Sequence, residues 1–123
     1  MKNKNKTILV VEDDFVASIA YKLILESLGY DMLGPVASVT EALVLIEEQP
    51  FCAALLDVNL EGEMVTPVSE RLSETGCPYI FISGYSDIQV LPKKYHDCVF
   101  LEKPVKETKL KDALVAIGLT DCA

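Results

Sequence analysis

Short apolar runs and helix-spaced apolar positions alternate along almost the whole of this chain. Thr7-Ile8-Leu9-Val10-Val11 is an unbroken run rich in β-branched residues, the pattern of a strand buried on both faces. Val16, Ile19, Ala20, Leu23 and Leu28 then recur at helical spacing, with Ser18, Lys22 and Glu26 on the other side. This predicts a helix that buries the first set and is closed by Gly29. Met32 to Val36 reads as a weaker strand, interrupted by Gly34-Pro35. Ser38 and Glu41 form a capping-box pair ahead of Val39, Ala42, Leu43 and Ile46. Cys52 to Leu56 is a third strand that runs straight into Asp57. After a loop, Thr66-Pro67 reads as an N-cap with proline at the first helical position, opening a helix that carries Val68 and Leu72 and stops at Gly76. Pro78 to Ile82 is the fourth strand. Ser86 to Leu91 is a short helix cut by Pro92. Cys98 to Leu101 is the fifth strand, and Leu110, Ala113, Leu114 and Ile117 mark a last helix that ends at Gly118.

Five such strand–helix units with short connections imply an α/β fold, a doubly wound parallel sheet between two layers of helices. The 123 residues suffice for one domain and its core. They read as a single domain over residues 1–123, with residues 1–6 as a basic tail and no output domain after the last helix. No apolar run approaches the roughly 20 residues of a membrane helix, and the basic tail lacks a small-residue cleavage site. A cytoplasmic protein is expected. The net charge of −8, with no basic stripe to offset it, argues against nucleic acid as a partner. Cys52, Cys77, Cys98 and Cys122 lie too far apart for a zinc site, and read as reduced thiols at the edges of the core.

The polar residues change the picture, because in open α/β sheets ligands bind beyond the carboxyl ends of the strands. The first strand ends at Glu12-Asp13-Asp14, the third at Asp57, the fourth at Ser83 and the fifth at Lys103. Taken singly, each has an ordinary structural explanation: Asp14, just before Phe15, reads as a helix cap, Ser83 as a turn residue beside Gly84, and Lys103 as a surface charge. Together they bring several carboxylates, a hydroxyl and an ammonium to one edge. Two carboxylates about 5 Å apart repel by about 3 kcal/mol at an effective dielectric near 20. They must therefore hold a proton or a cation. A site of oxygen donors without His or Cys suits Mg²⁺, and the lysine and hydroxyl suit a phosphoryl group. The chemistry indicated is phosphoryl transfer to a carboxylate.

The ordered set Val10-Val11-Glu12-Asp13-Asp14, Leu55-Leu56-Asp57, Phe81-Ile82-Ser83-Gly84 and Leu101-Glu102-Lys103-Pro104 resembles the receiver domain of bacterial response regulators, over essentially the whole chain. The resemblance implies a flavodoxin-like fold of five parallel strands and five flanking helices. It implies Asp57 as phosphoacceptor, with Mg²⁺ held by Asp13, by Glu12 directly or through water, by Asp57, and by the backbone carbonyl of Asn59. Ser83 and Lys103 would contact the phosphoryl oxygens, and Phe100 matches an aromatic position that turns inward on activation. The implied partner is a sensor histidine kinase or a histidine phosphotransfer protein. Output would come through protein contact or by draining phosphate, with no enzymatic turnover beyond the domain's own phosphorylation and dephosphorylation.

Pro78-Tyr79-Ile80-Phe81-Ile82-Ser83-Gly84-Tyr85 is similar to the Pro-Phe-x-Phe-Ala-Thr-Gly-Tyr motif of an alphaproteobacterial subgroup rich in single-domain members. Two features depart from the common receiver pattern: Asn59-Leu60-Glu61-Gly62-Glu63 replaces the usual Met-Pro or Leu-Pro segment, and Pro92 truncates the fourth helix. A pseudo-receiver that binds partners without phosphorylation is the competing reading, although such a module has no need of the acid–Ser–Lys set. An aspartate-nucleophile phosphatase would need an acid where Asn59 stands. His96 reads as a solvated loop residue.

Overall fold

The computed structural model describes residues 4–84 and 87–119. After a 3-10 turn at Lys4–Lys6, the elements in chain order are β1 (Thr7–Val11), α1 (Phe15–Ser27), β2 (Asp31–Val36), α2 (Val39–Glu48) and β3 (Ala53–Asp57). A small hairpin follows, β4 (Asn59–Leu60) with β5 (Glu63–Met64). Then come α3 (Thr66–Glu74), β6 (Tyr79–Ser83), 3-10 turns at Asp87–Val90 and Lys93–Tyr95, β7 (Phe100–Glu102) and α4 (Glu107–Ala116).

The five long strands form one parallel sheet in the order β2-β1-β3-β6-β7. This is the flavodoxin-like order, in which the chain winds outward from β1 to β2 and then crosses back to β3 on β1's other side. A crevice opens where the winding reverses, beyond the carboxyl ends of β1 and β3. Strand register aligns those ends: Val11 pairs with Leu56, and Asp57 pairs with Ile82.

Every residue of β1 and β3 is buried, because helices cover both sides of the sheet. Leu9, Val11, Ala54, Leu56 and Phe81 pack with Val39 and Ala42 of α2 and Val68 and Leu72 of α3. On the opposite face, Ile8, Val10, Leu55, Ile80 and Ile82 pack with Tyr21 and Leu25 of α1 and Leu110, Ala113 and Leu114 of α4. Gly34 shows why β2 needs a glycine: its φ is +104°, and a Cβ there would stand 2.8 Å from the Val10 carbonyl oxygen.

The structure corrects three expectations. Four α-helices are present among the described residues, where five were expected. The fourth position holds the two 3-10 turns instead, with Leu91 and Tyr95 buried beside them. Pro92 lacks an N–H and disfavours the helical conformation of the residue before it, so the stretch cannot propagate as an α-helix. Ser86 lies outside the described residues. The helix opened by Pro67 starts with Val65 at the cap position and gains no side-chain cap bond from Thr66.

The third correction concerns α1. Most of its predicted core face points outward: Val16, Ile19, Ala20 and Leu23 are exposed, with Phe15 beside them, while Leu28 packs against the core and Ser18, Tyr21 and Leu25 are buried. The helix is apolar on two sides, and Ser18 disguised the inner one. Ser18 is small, and its hydroxyl donates to the Phe15 carbonyl oxygen at 2.6 Å, so it can be buried with its polar group satisfied. The larger side chains of the inner stripe, with Ile24 and Leu28 at its margins, then fill the space over the sheet.

Candidate functional site

The acids meet where the strand register predicts. One step beyond the Val11–Leu56 pair, Glu12 and Asp57 stand side by side at the ends of β1 and β3, each almost wholly buried. Ligand oxygens of Glu12, Asp13 and Asp57 lie within 4.8 Å of one another, with Asp13 half-buried at the open side. Asp14 serves as the N-cap of α1, accepting from the Val16 and Ala17 amides at 3.0 and 3.3 Å, and so takes no part in the cluster.

Asp57 is held through both oxygens. Its Oδ1 accepts from the Asn59 amide at 3.2 Å, and its Oδ2 accepts from Lys103 Nζ at 3.1 Å. The same ammonium stands 3.4 Å from Glu12 Oε1. Lys103 reaches the site because β7 pairs beside β6 and the Lys103 amide donates to the Ser83 carbonyl oxygen at 3.0 Å. The Lys103–Pro104 peptide bond is cis. Ser83 is buried at the end of β6, one residue past the Ile82 that pairs with Asp57. Phe100 is half-buried at the start of β7 and stacks on Phe81, with ring centroids 5.2 Å apart. It lies against the α2–α3 side of the core, away from the acid cluster.

Four groups that sequence reasoning did not use also shape the site. Tyr21, buried on the inner face of α1, donates its phenol O–H to Glu12 Oε1 at 3.1 Å, and the Asp14 amide donates to Glu12 Oε2 at 3.1 Å. The hairpin after Asp57 is closed by the Asn59 side chain, whose Oδ1 accepts from the Gly62 amide at 2.9 Å. Glu61 and Gly62 both have positive φ at its tip. Glu63 of that hairpin accepts from the Val39 amide at 3.3 Å, tying the loop to the start of α2. The Asn59-Leu60-Glu61-Gly62 turn chemistry was the only advance signal of this hairpin. His96 is exposed, with Nε2 at 2.8 Å from the Leu91 carbonyl oxygen.

Burial, then the hydrogen bond and repulsion from Glu12, push the Asp57 carboxyl up to about 8, against the pull of Lys103. Burial also raises Glu12, but hydrogen bonds from the Asp57 carboxyl, the Asp14 amide and Tyr21, together with the Lys103 charge, hold it below the usual carboxylate range. Of the two, Asp57 is the carboxyl driven toward protonation and Glu12 the one held toward its ionised form. Burial works against the charge of Lys103, yet its two acidic neighbours hold it above the usual lysine value. Three carboxylates with a single ammonium among them leave the site short of positive charge. The donor set is all oxygen, so the residues fit a hard divalent cation such as Mg²⁺.

The chain is similar to several solved receivers. SdrG from Sphingomonas melonis Fr1 is 34% identical, with a TM-score of 0.84 over 94% of this chain and 98% of that one. The beryllofluoride-activated conformation of SdrG, from Pseudomonas melonis Fr1, is 35% identical, with a TM-score of 0.78 over 90% of this chain and 94% of that one. A CheY-like receiver from Methylobacillus flagellatus is 27% identical, with a TM-score of 0.77 over 91% and 98%. No curated protein sequence matches the chain. The family model of the response regulator receiver domain matches residues 8–115, over the sheet and helices that carry the acid cluster, and the chain belongs to that family.

Proposed function

We propose that this receiver accepts a phosphoryl group on Asp57 from the phosphohistidine of a sensor kinase or phosphotransfer protein, in the cytoplasm and with Mg²⁺. One observation carries the reading: Asp57 is a buried carboxylate anchored by the Asn59 amide and Lys103 beside two further acids. Receiver domains are generally signalling modules and not enzymes, and the chemistry proposed is self-modification. A carboxylate oxygen of Asp57 forms a bond to phosphorus as the phosphorus–nitrogen bond breaks and the imidazole leaves.

Glu12, Asp13 and Asp57, with the Asn59 carbonyl, would hold Mg²⁺, which would supply positive charge that keeps Asp57 ionised and offsets charge on the phosphoryl oxygens. Lys103, already on Asp57, provides the second positive charge, and Ser83 offers a hydroxyl at the same edge. Phe100 would repack when Ser83 moves to the phosphoryl group, changing the surface near the 3-10 turns. The outer stripe of α1 supports the choice of donor. It begins at Phe15, 70% exposed and two residues from Asp13, and continues through Val16, Ile19 and Leu23. A donor helix seated on that stripe would present its histidine to the crevice. The activated conformation solved for SdrG, 35% identical, supports a phosphate-driven change here as well.

Incubation with acetyl phosphate and Mg²⁺, read by intact mass, tests the acceptor. One phosphoryl group should add to the wild type and none to Asp57→Asn. Labelling of Asp57→Asn at the wild-type rate overturns the assignment. A phosphotransfer profile against phosphorylated histidine kinases would identify the donor.

A further inference from the structure

The geometry points to Tyr21 as a positioning residue for the metal site, acting through Glu12; the inference rests on the Mg²⁺ reading above. Glutamate has one more rotatable bond than aspartate, so a glutamate that serves a metal loses more freedom when it is fixed. Here Glu12 is fixed from two directions. Tyr21 donates to Oε1 from α1, and the Asp14 amide donates to Oε2 from the β1–α1 turn. Lys103 is farther from Oε1, at 3.4 Å, and is shared with Asp57, whose carboxyl also bonds to Glu12.

Both partners of the Tyr21–Glu12 bond are sealed from solvent, Tyr21 at 3% and Glu12 at 2% exposure, so water cannot replace the phenol. The phenol O–H is the donor in this bond, since an ionised carboxylate can only accept. A hydrogen-bond donor behind a ligating carboxylate holds its orientation before the cation arrives. Without the phenol, Glu12 would be left to Lys103, the Asp57 carboxyl and the Asp14 amide, and its carboxylate could rotate toward the ammonium and away from Asp13. Tyr21 occupies the inner stripe of α1, so the helix that exposes the apolar stripe to a donor also sets the acid behind the acceptor.

The test measures Mg²⁺ dissociation constants by calorimetry on the intact chain, for wild type, Tyr21→Phe, Glu12→Gln and the double variant, with thermal unfolding in EDTA alongside. Tyr21→Phe keeps the ring and its packing. Its Mg²⁺ affinity should fall about 10-fold, while in the Glu12→Gln background the same change should move affinity less than about 2-fold. A Tyr21→Phe affinity within about 2-fold of wild type overturns the inference, as does an equal loss in both backgrounds. Absence of Mg²⁺ binding by the wild type overturns the metal-site reading and this inference with it. The ζ-carbon resonance of Tyr21 in the wild type gives a readout that needs no variant to fold. It should shift with Mg²⁺ along the same saturation curve as binding, and an unmoved resonance overturns the inference.

Discussion

The two faces of α1 are both apolar, yet they belong to different parts of the protein. The inner face carries Ser18, Tyr21 and Leu25 into the core over β1 and β3, and the Tyr21 hydroxyl continues from that core into the acid cluster. The outer face carries Phe15, Val16, Ile19 and Leu23 into solvent, starting at the rim of the same cluster. The inner face bears on stability and on the proposed metal site, the outer on the proposed docking of a donor. Hydrophobic spacing cannot tell these two uses apart, because it reports that a stripe is apolar and not what covers it.

The sharpest way to break the comparison is a deletion on each side. Leu25→Ala removes a fully buried side chain and should cost about 2–4 kcal/mol in denaturant unfolding. A cost no larger than that of a surface change would show that the inner face had been misassigned. On the outer face, Ile19→Glu with Leu23→Glu should slow phosphotransfer from a cognate phosphorylated kinase about 10-fold or more. Labelling from acetyl phosphate, which needs no docking surface, serves as the control. Equal rates from the kinase would remove the docking role from this stripe.

A third measurement bears on the inner end of the helix, where Glu12 meets Asp57. Asp57 is raised to about 8 in the folded protein from 3.8, so the folded state holds a proton that the unfolded chain releases over that interval. That contribution is complete below the unfolded value and fades as pH rises toward 8. Glu12 shifts the other way, but its effect lies at and below its ordinary value of 4.5. Between about pH 5 and 8, the Tm in EDTA should therefore drop by several degrees, and Mg²⁺ should reverse the drop while releasing a proton. A flat Tm across that range would mean that Asp57 is already ionised without a cation. The smallest effect should be that of Leu23→Ala. As a single truncation at a position 63% exposed, it should stay within about 0.5 kcal/mol of wild type.

Much of the site was legible because it sits at strand ends. Apolar runs such as Thr7–Val11 and Ala53–Asp57 declare themselves by composition, and a parallel sheet brings the residues that follow them to one edge. Glu12, Asp13, Asp57, Ser83 and Lys103 could be named from that argument with no distances in hand. Tyr21 could not, because its role depends on which face of α1 turns inward, and the polar Ser18 pointed to the wrong one. The hairpin at residues 59–64 left its trace in the turn residues Asn59 to Gly62, which read in the sequence as a departure from the usual loop. Its link to α2 through Glu63 and the Val39 amide is a contact between residues far apart in sequence, which spacing does not encode. Pro92 gave fair warning that the fourth helix would fail, but not that 3-10 turns would bury Leu91 and Tyr95 in its place.

By itself, then, the sequence determined the order of the five sheet strands, the doubly wound class and the chemical types gathered at the carboxyl edge, because these follow from local periodicity and from the one-dimensional order of strand ends. Tertiary structure decided the rest: which stripe of α1 is core, which donors clamp Glu12, and how close Lys103 stands to Asp57. Those outcomes depend on competition for the same space and the same hydrogen-bonding atoms, and that competition is resolved only once the helices lie on the sheet.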